Sequence, residues 1–77
     1  MTDKQLSNKL LIELVSKEEL PAKRLLEIFK NDQSKLNHIA KKFEIYDLAK
    51  TIKSDQNGVI HIRATSKAKP FLNGGGF

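Results

Sequence analysis

The sequence predicts a small α+β domain that is mostly α-helical and carries one small β-hairpin. Apolar residues recur with helical spacing through about residue 53, which indicates a succession of helices. A turn-forming segment at residues 54–58 then precedes a run of β-branched residues, which is typical of a strand. A chain of 77 residues has room for one domain. We therefore expect residues 1–77 to fold as a single unit.

The first predicted helix spans residues 4–17, where Leu6, Leu10 and Leu14 fall on one face. A domain of this size has a marginal core of its own, and partner subunits often supplement such cores. The chain has no cysteine, so a disulfide cannot serve that purpose. We therefore expect residues 1–18 to act as a dimerisation helix in a homodimer.

Two further helices are predicted next. Pro21 suits the first turn of a helix over residues 21–30, because its missing N–H has no intrahelical partner there. Asp32 is placed to cap a third helix through its carboxylate. The apolar face of that third helix consists of Leu36, Ile39, Ala40 and Phe43.

A short turn at residues 44–45 separates the third helix from a predicted fourth helix, which runs from Tyr46 to about Lys53. Leu48 and Ile52 are expected to face inward from it. In this interpretation, Ile45 fills the turn between the two helices.

The hydrophobic period changes after residue 53. Residues 54–58 end in Asn-Gly, the strongest short signal for a hairpin turn, and residues 59–65 are expected to form a strand. Ser66 is expected to cap a short last helix through Leu72, which Pro70 limits to about one turn. Residues 73–77 contain three consecutive glycines, and on composition alone they are expected to form a frayed tail.

The net charge of +5 lies entirely in the second half of the chain, because positive and negative charges cancel in residues 1–34. Such asymmetry suggests a surface that faces a polyanion, although a lysine-rich solvated surface is the alternative. Helices three and four fall in this basic half and resemble a helix-turn-helix, although the turn between them is shorter than usual, and the fourth helix is expected to face the major groove. The candidate DNA-contacting residues are Lys41, Lys42, Tyr46, Lys50, Thr51, Lys53, Arg63 and Lys67.

The segment from Thr65 to Phe77 carries a motif. Thr65, Lys67, Phe71 and Leu72 match a Thr-x-Lys-Gly-x-x-Phe-Leu pattern, and Gly-Gly-Phe ends the segment. It resembles the ending of small bacterial winged-helix proteins, although Ala68 stands where that family has glycine. The resemblance implies a winged-helix fold, here with a small or shortened hairpin wing, and DNA binding. It also implies that Phe77 packs against the domain, with the glycines forming a shaped turn.

No catalytic role is expected, because the serines and carboxylates show no arrangement typical of nucleophilic or acid–base chemistry. His38 and His61 are the only imidazoles, and without cysteine they do not make a metal site. No cofactor or small-molecule ligand is indicated. Neither a membrane span nor a signal peptide is predicted, so a cytoplasmic location is expected.

The sequence therefore favours a small transcriptional regulator that binds duplex DNA. A protein–protein interaction adaptor built on the same fold is the main alternative. Single-stranded RNA binding is a third interpretation, and the scarcity of aromatic residues argues against it.

Overall fold

The computed structural model describes residues 2–55 and 58–77. Four helices and three strands follow one another along the chain, and the strands form one antiparallel sheet with the order β1-β3-β2. This architecture confirms the predicted α+β class with mostly helical content. The elements are α1 (Asp3–Lys17), β1 (Glu19–Pro21), α2 (Ala22–Ile28), α3 (Gln33–Ile45), β2 (Ala49–Lys53), β3 (Val59–Ala64) and α4 (Ala68–Asn73).

Helix α1 begins with a capping box, in which Thr2 and Gln5 satisfy each other's backbone N–H groups. Leu10 and Leu14 are fully buried in the domain's own core, and Leu6 packs against it. These side chains are covered by the chain's own elements, so they contribute to the core of a single domain. The homodimer expected from the sequence stays a prediction.

Helices α2 and α3 are joined by a tight turn. Lys30 and Asn31 adopt left-handed backbone angles, with φ of 53° and 64°, which redirects the chain sharply. The Asp32 side chain accepts a hydrogen bond of 3.0 Å from the backbone N–H of Lys35, as the sequence predicts for an N-cap. Pro21 lies in β1 and directly precedes α2, one position earlier than expected.

The predicted fourth helix is not present, and this is the largest error in the sequence interpretation. Asp47 has a left-handed φ of 58°, which ends helical geometry after α3. The chain then enters β2, whose Ala49–Lys53 residues pair with β3. Leu48 is buried as expected, but Ile52 and Ile45 are exposed, so Ile45 does not fill a turn.

The hairpin of β2 and β3 is longer than the shortened wing expected from sequence. The five residues of β2 pair antiparallel with five of the six residues of β3, and β1 adds a third strand on the other side of β3. The sequence does not predict two of the strands: the residues of β2 are predicted to be helical, and β1 has only three residues. The predicted Asn-Gly turn falls partly on residues 56–57, which lie outside the described residues.

The last helix, α4, begins at Ala68 without a side-chain cap, so the expected Ser66 cap is wrong. Pro70 is the third residue of α4, inside the first turn, where its missing N–H costs nothing. The residues after α4 fold back, and Phe77 packs against the core. This is the arrangement that the family resemblance implies, and it differs from the frayed tail expected from composition.

One hydrophobic core lies between the helices and the inner face of the sheet. Helices α1, α2 and α3, the three strands and α4 all contribute to it. Within the described ranges, no helix has both the length and the apolar character needed to cross a lipid bilayer. The largest fully buried side chains include Leu10, Leu11, Leu14, Leu20, Leu25, Leu36, Ile39, Phe43 and Ile62.

Candidate functional site

Helix α3 presents an exposed stripe opposite its buried face. Its buried residues, Leu36, Ile39, Ala40 and Phe43, hold the helix against the core. The exposed residues follow at intervals of four, three and four positions, which places them on one helical face. We call this set the α3 stripe: Ser34, His38, Lys41 and Ile45.

The first turns of α3 contact the start of α1 through an ion pair between Lys35 and Asp3. Lys35 donates a hydrogen bond of 2.7 Å to the Asp3 carboxylate, and the His38 Nε2 atom lies 3.8 Å from the same group. The Lys35 hydrogen bond lowers the pKa of Asp3 and raises the pKa of Lys35. These contacts fix one flank of the α3 stripe.

The β2–β3 hairpin is tied to the other flank of α3. The Asn37 side-chain oxygen accepts hydrogen bonds from the Val59 backbone N–H, at 3.0 Å, and from the Gln33 amide, at 2.9 Å. The Gln33 amide nitrogen also lies 3.3 Å from the Val59 carbonyl oxygen. Lys53 is the register partner of Val59, so it lies beside this junction. The hairpin therefore stands next to the N-terminal half of α3.

Four of the eight predicted DNA-contacting residues lie in three places. Lys41 lies on the α3 stripe, and Lys53 lies beside the junction of helix and hairpin. Lys50 and Arg63 pair across β2 and β3 on the outer face of the sheet, away from the core. Among residues 2–55 and 58–77, no carboxylate forms an ion pair with any of these four cations.

The Thr51 side chain lies on the inner face of the sheet, opposite to the face that carries Lys50 and Arg63. It is paired with the buried Ile62, and its hydroxyl donates a hydrogen bond to the Glu44 carboxylate. That contact fastens β2 to the end of α3.

The remaining predicted residues belong to a cluster around the end of the chain. The Lys42 ammonium lies 4.1 Å from the Phe77 ring centroid, a cation–π distance. The Tyr46 ring contacts Phe77 and Phe71, with centroids 5.4 Å and 5.9 Å away. Because their side chains make these intramolecular contacts, we assign Lys42 and Tyr46 a structural role.

Lys67 is also paired within the chain. Its ammonium lies 2.8 Å from the Asp47 carboxylate. This hydrogen bond raises the pKa of Lys67 and lowers the pKa of Asp47. Thr65 adds a hydrogen bond of 2.7 Å from its hydroxyl to the Asp47 carbonyl oxygen. The two contacts hold the start of the C-terminal segment against the turn that follows α3.

The Gly-Gly-Phe ending has a physical explanation in these contacts. The Phe77 backbone N–H donates a hydrogen bond of 2.9 Å to the Asn8 side-chain oxygen on α1. Gly76 has a φ of +70°, and a Cβ atom there would lie 2.7 Å from that same oxygen. Only glycine fits at this position without strain.

No protein-family model, curated protein or solved structure matches this chain. The candidate site is therefore defined by the geometry of this chain's own residues.

The structure adds two residues to the candidate site that the sequence does not predict as DNA contacts. Ser34 and His38 share the exposed face of α3 with Lys41, whereas Lys50 and Thr51 lie on a strand. The signal was present in the sequence, because residues 32–45 contain an N-cap followed by more than three turns of amphipathic helix. The sequence analysis assigns the major groove to the predicted helix at residues 46–53, so it does not assign this role to the exposed face of α3.

Proposed function

We propose that this domain is a winged helix that binds duplex DNA, with α3 as the helix that enters the major groove. The order helix, strand, helix, helix, hairpin, together with the sheet order β1-β3-β2, supports this assignment. In this arrangement α2 and α3 form the helix-turn-helix, and the β2–β3 hairpin is the wing.

The observation that carries the proposal is the α3 stripe. A helix packed on a core by one face leaves the opposite face for a partner, and the N-terminal half of this face bears polar groups. Ser34 and His38 have donors and acceptors suited to base edges or phosphates, and Lys41 suits phosphate or guanine. The wing stands directly beside that half of the helix through the Asn37 junction.

Lysine–phosphate contacts account for most of the binding in this proposal. Lys41 on the helix and Lys53 on the wing lie on either side of the Asn37 junction and are unpaired within the described residues. The stripe has no arginine, which makes the commonest specific contact to guanine. We therefore expect duplex affinity to exceed sequence discrimination. This behaviour fits a small DNA-binding regulator of the cytoplasm.

Fluorescence anisotropy with a labelled random-sequence duplex tests the proposal. We expect binding that weakens steeply as salt rises, because phosphate contacts release counterions. Lys41→Glu and Lys53→Glu should each weaken binding strongly. Lys9→Glu, which reverses an exposed lysine on α1, is the matched control and should weaken it less.

Circular dichroism of each variant shows whether the domain remains folded. Absent or salt-insensitive binding by the folded wild-type protein would reject the proposal and favour the protein-interaction alternative. Equal effects of all three substitutions would mean that net charge alone attracts the duplex.

A further inference from the structure

The outer face of the sheet carries an apolar patch that the proposed DNA contacts do not use. Strand register places two rows of side chains on this face, separated by the inward row that contains buried Leu20 and Ile62. We call this surface the outer sheet patch. Its first row is Pro21, His61 and Ile52, and its second row is Glu19, Arg63 and Lys50.

A β-bulge enlarges the apolar part of this patch. Ile52 pairs with His61 and the next residue, Lys53, pairs with Val59, so Ile60 is an extra residue in β3. The two buried residues of β3, Val59 and Ile62, are consequently three positions apart instead of two. Ile60 is 41% exposed and Ile52 is 57% exposed. Bulges commonly re-aim a side chain for a purpose, and this one places a second isoleucine at the surface.

The charged row of the outer sheet patch holds two cations and one carboxylate. Lys50 and Arg63 lie directly opposite each other, and like charges in that position destabilise a sheet. Glu19 is the other neighbour of Arg63, but its carboxylate lies 3.7 Å from the His61 Nε2 atom. Neither cation has an ion-pair partner in the described part of the chain. A carboxylate supplied from outside would relieve the repulsion between them.

The size of the patch limits what can cover it. Three strands about 4.8 Å apart, with about 3.3 Å per residue, present a face of about 300 Å². A stable interface between folded proteins buries about 800 Å² on each partner. The patch is therefore too small to hold a second copy of this chain by itself, and its dimensions fit a short peptide segment.

We infer that the outer sheet patch docks a short segment of a protein partner that combines apolar and acidic side chains. The apolar side chains pack on Ile52 and Ile60, and a carboxylate lies between Lys50 and Arg63. This site lies on the outer face of the sheet, whereas α3 packs on the inner side, so the inference does not depend on the proposed DNA binding. Phosphate alone would satisfy the two cations but would leave the isoleucines in water, which favours a peptide over a nucleic-acid backbone.

A display library of short random peptides, selected on the immobilised full chain, tests the inference. We expect enriched peptides that contain both acidic and apolar residues. Their binding should weaken about tenfold or more in the Ile52→Ser/Ile60→Ser variant and in the Lys50→Glu/Arg63→Glu variant. Ile12→Ser is the matched control, because Ile12 on α1 is also 57% exposed and lies on a different surface.

All the substituted side chains are exposed, so we expect every variant to fold. Thermal unfolding checks this, and a loss of peptide binding by a folded variant then reports on the patch itself. Failure to enrich any peptide, or enrichment of peptides that bind every variant equally, would overturn the inference. So would enrichment of basic peptides. Loss of duplex binding in the Ile52→Ser/Ile60→Ser variant without selected peptides would instead assign the patch to DNA.

Discussion

At the scale of single residues, Gly76 shows how a short motif follows from local geometry. Its φ of +70° is a conformation that side chains disfavour, and the Asn8 oxygen occupies the space that a Cβ atom would need. Gly76→Ala should therefore destabilise the domain by about 1–3 kcal/mol, measured by urea denaturation. Gly74→Ala is the control, because Gly74 has a φ of −81° and should change stability by less than about 0.5 kcal/mol. Equal stability of the two variants would show that the ending is not held by Asn8.

Glu13 makes the stability of the domain depend on pH. Arg24 donates a hydrogen bond of 2.9 Å to its carboxylate, and this pairing lowers the pKa of Glu13 from its ordinary value of 4.5. A carboxyl whose pKa is lower in the folded state adds stability above pH 4.5 and loses it as the pH falls through the folded-state pKa.

Glu13→Gln should accordingly cost up to about 1 kcal/mol at neutral pH and much less in acid. Urea denaturation of both proteins across the acid range measures this difference. A constant difference at every pH would mean that packing, not charge, makes Glu13 stabilising.

At the scale of elements, the Asn37 side chain joins helix α3 to the wing. Asn37→Ala removes the acceptor for the Val59 N–H, and an unsatisfied half-buried donor costs about 1–3 kcal/mol. We expect faster hydrogen exchange at the Val59 amide in this variant. Asn73→Ala, at the exposed end of α4, should leave that amide unchanged. Unchanged exchange at Val59 in Asn37→Ala would show that pairing with β2 alone holds the wing.

The elements also show what can be read from the sequence. Helices α1, α2 and α3 follow from their apolar periodicity, and β3 follows from its β-branched residues, because each pattern is local. Strand β2 could not be identified in this way, since Leu48 and Ile52 are also compatible with one helical face. Its strand conformation depends on pairing with β3 and on the left-handed turn at Asp47, and neither is visible in local periodicity.

Because residues 46–53 are predicted to be a helix and not a strand, the predicted DNA-contacting residues also differ from those that share one surface of the structure. Lys41 is an exposed cation of α3, and Lys53 lies beside that helix. Lys42 and Tyr46 were selected for their place in the sequence, yet both contact Phe77, which is distant along the chain. Contacts of that kind depend on how the end of the chain folds back. The family resemblance implied that packing, whereas composition suggested a frayed end.

At the scale of the whole molecule, the structure changes what a substitution in α1 should do. Leu10 is fully buried, so Leu10→Ala should cost about 2–5 kcal/mol in stability instead of dissociating a dimer. Urea denaturation measures the cost, and analytical ultracentrifugation should give the same mass for the variant and the wild type. Ile12→Ala, on the exposed side of α1, should be nearly neutral. A Leu10→Ala protein with wild-type stability and half the wild-type mass would instead place Leu10 in a dimer interface.

The molecule as a whole then has two separate surfaces: the α3 stripe with Lys53 beside it on the wing, and the outer sheet patch. We propose that duplex DNA binds the first of these surfaces. The most direct test is nuclear magnetic resonance of the ¹⁵N-labelled protein titrated with a duplex at low salt. We predict that the largest amide shifts occur at Ser34, His38, Lys41 and Lys53. Shifts confined to Lys50, Ile52 and Arg63, or to α1, or no shifts at all, would contradict the account.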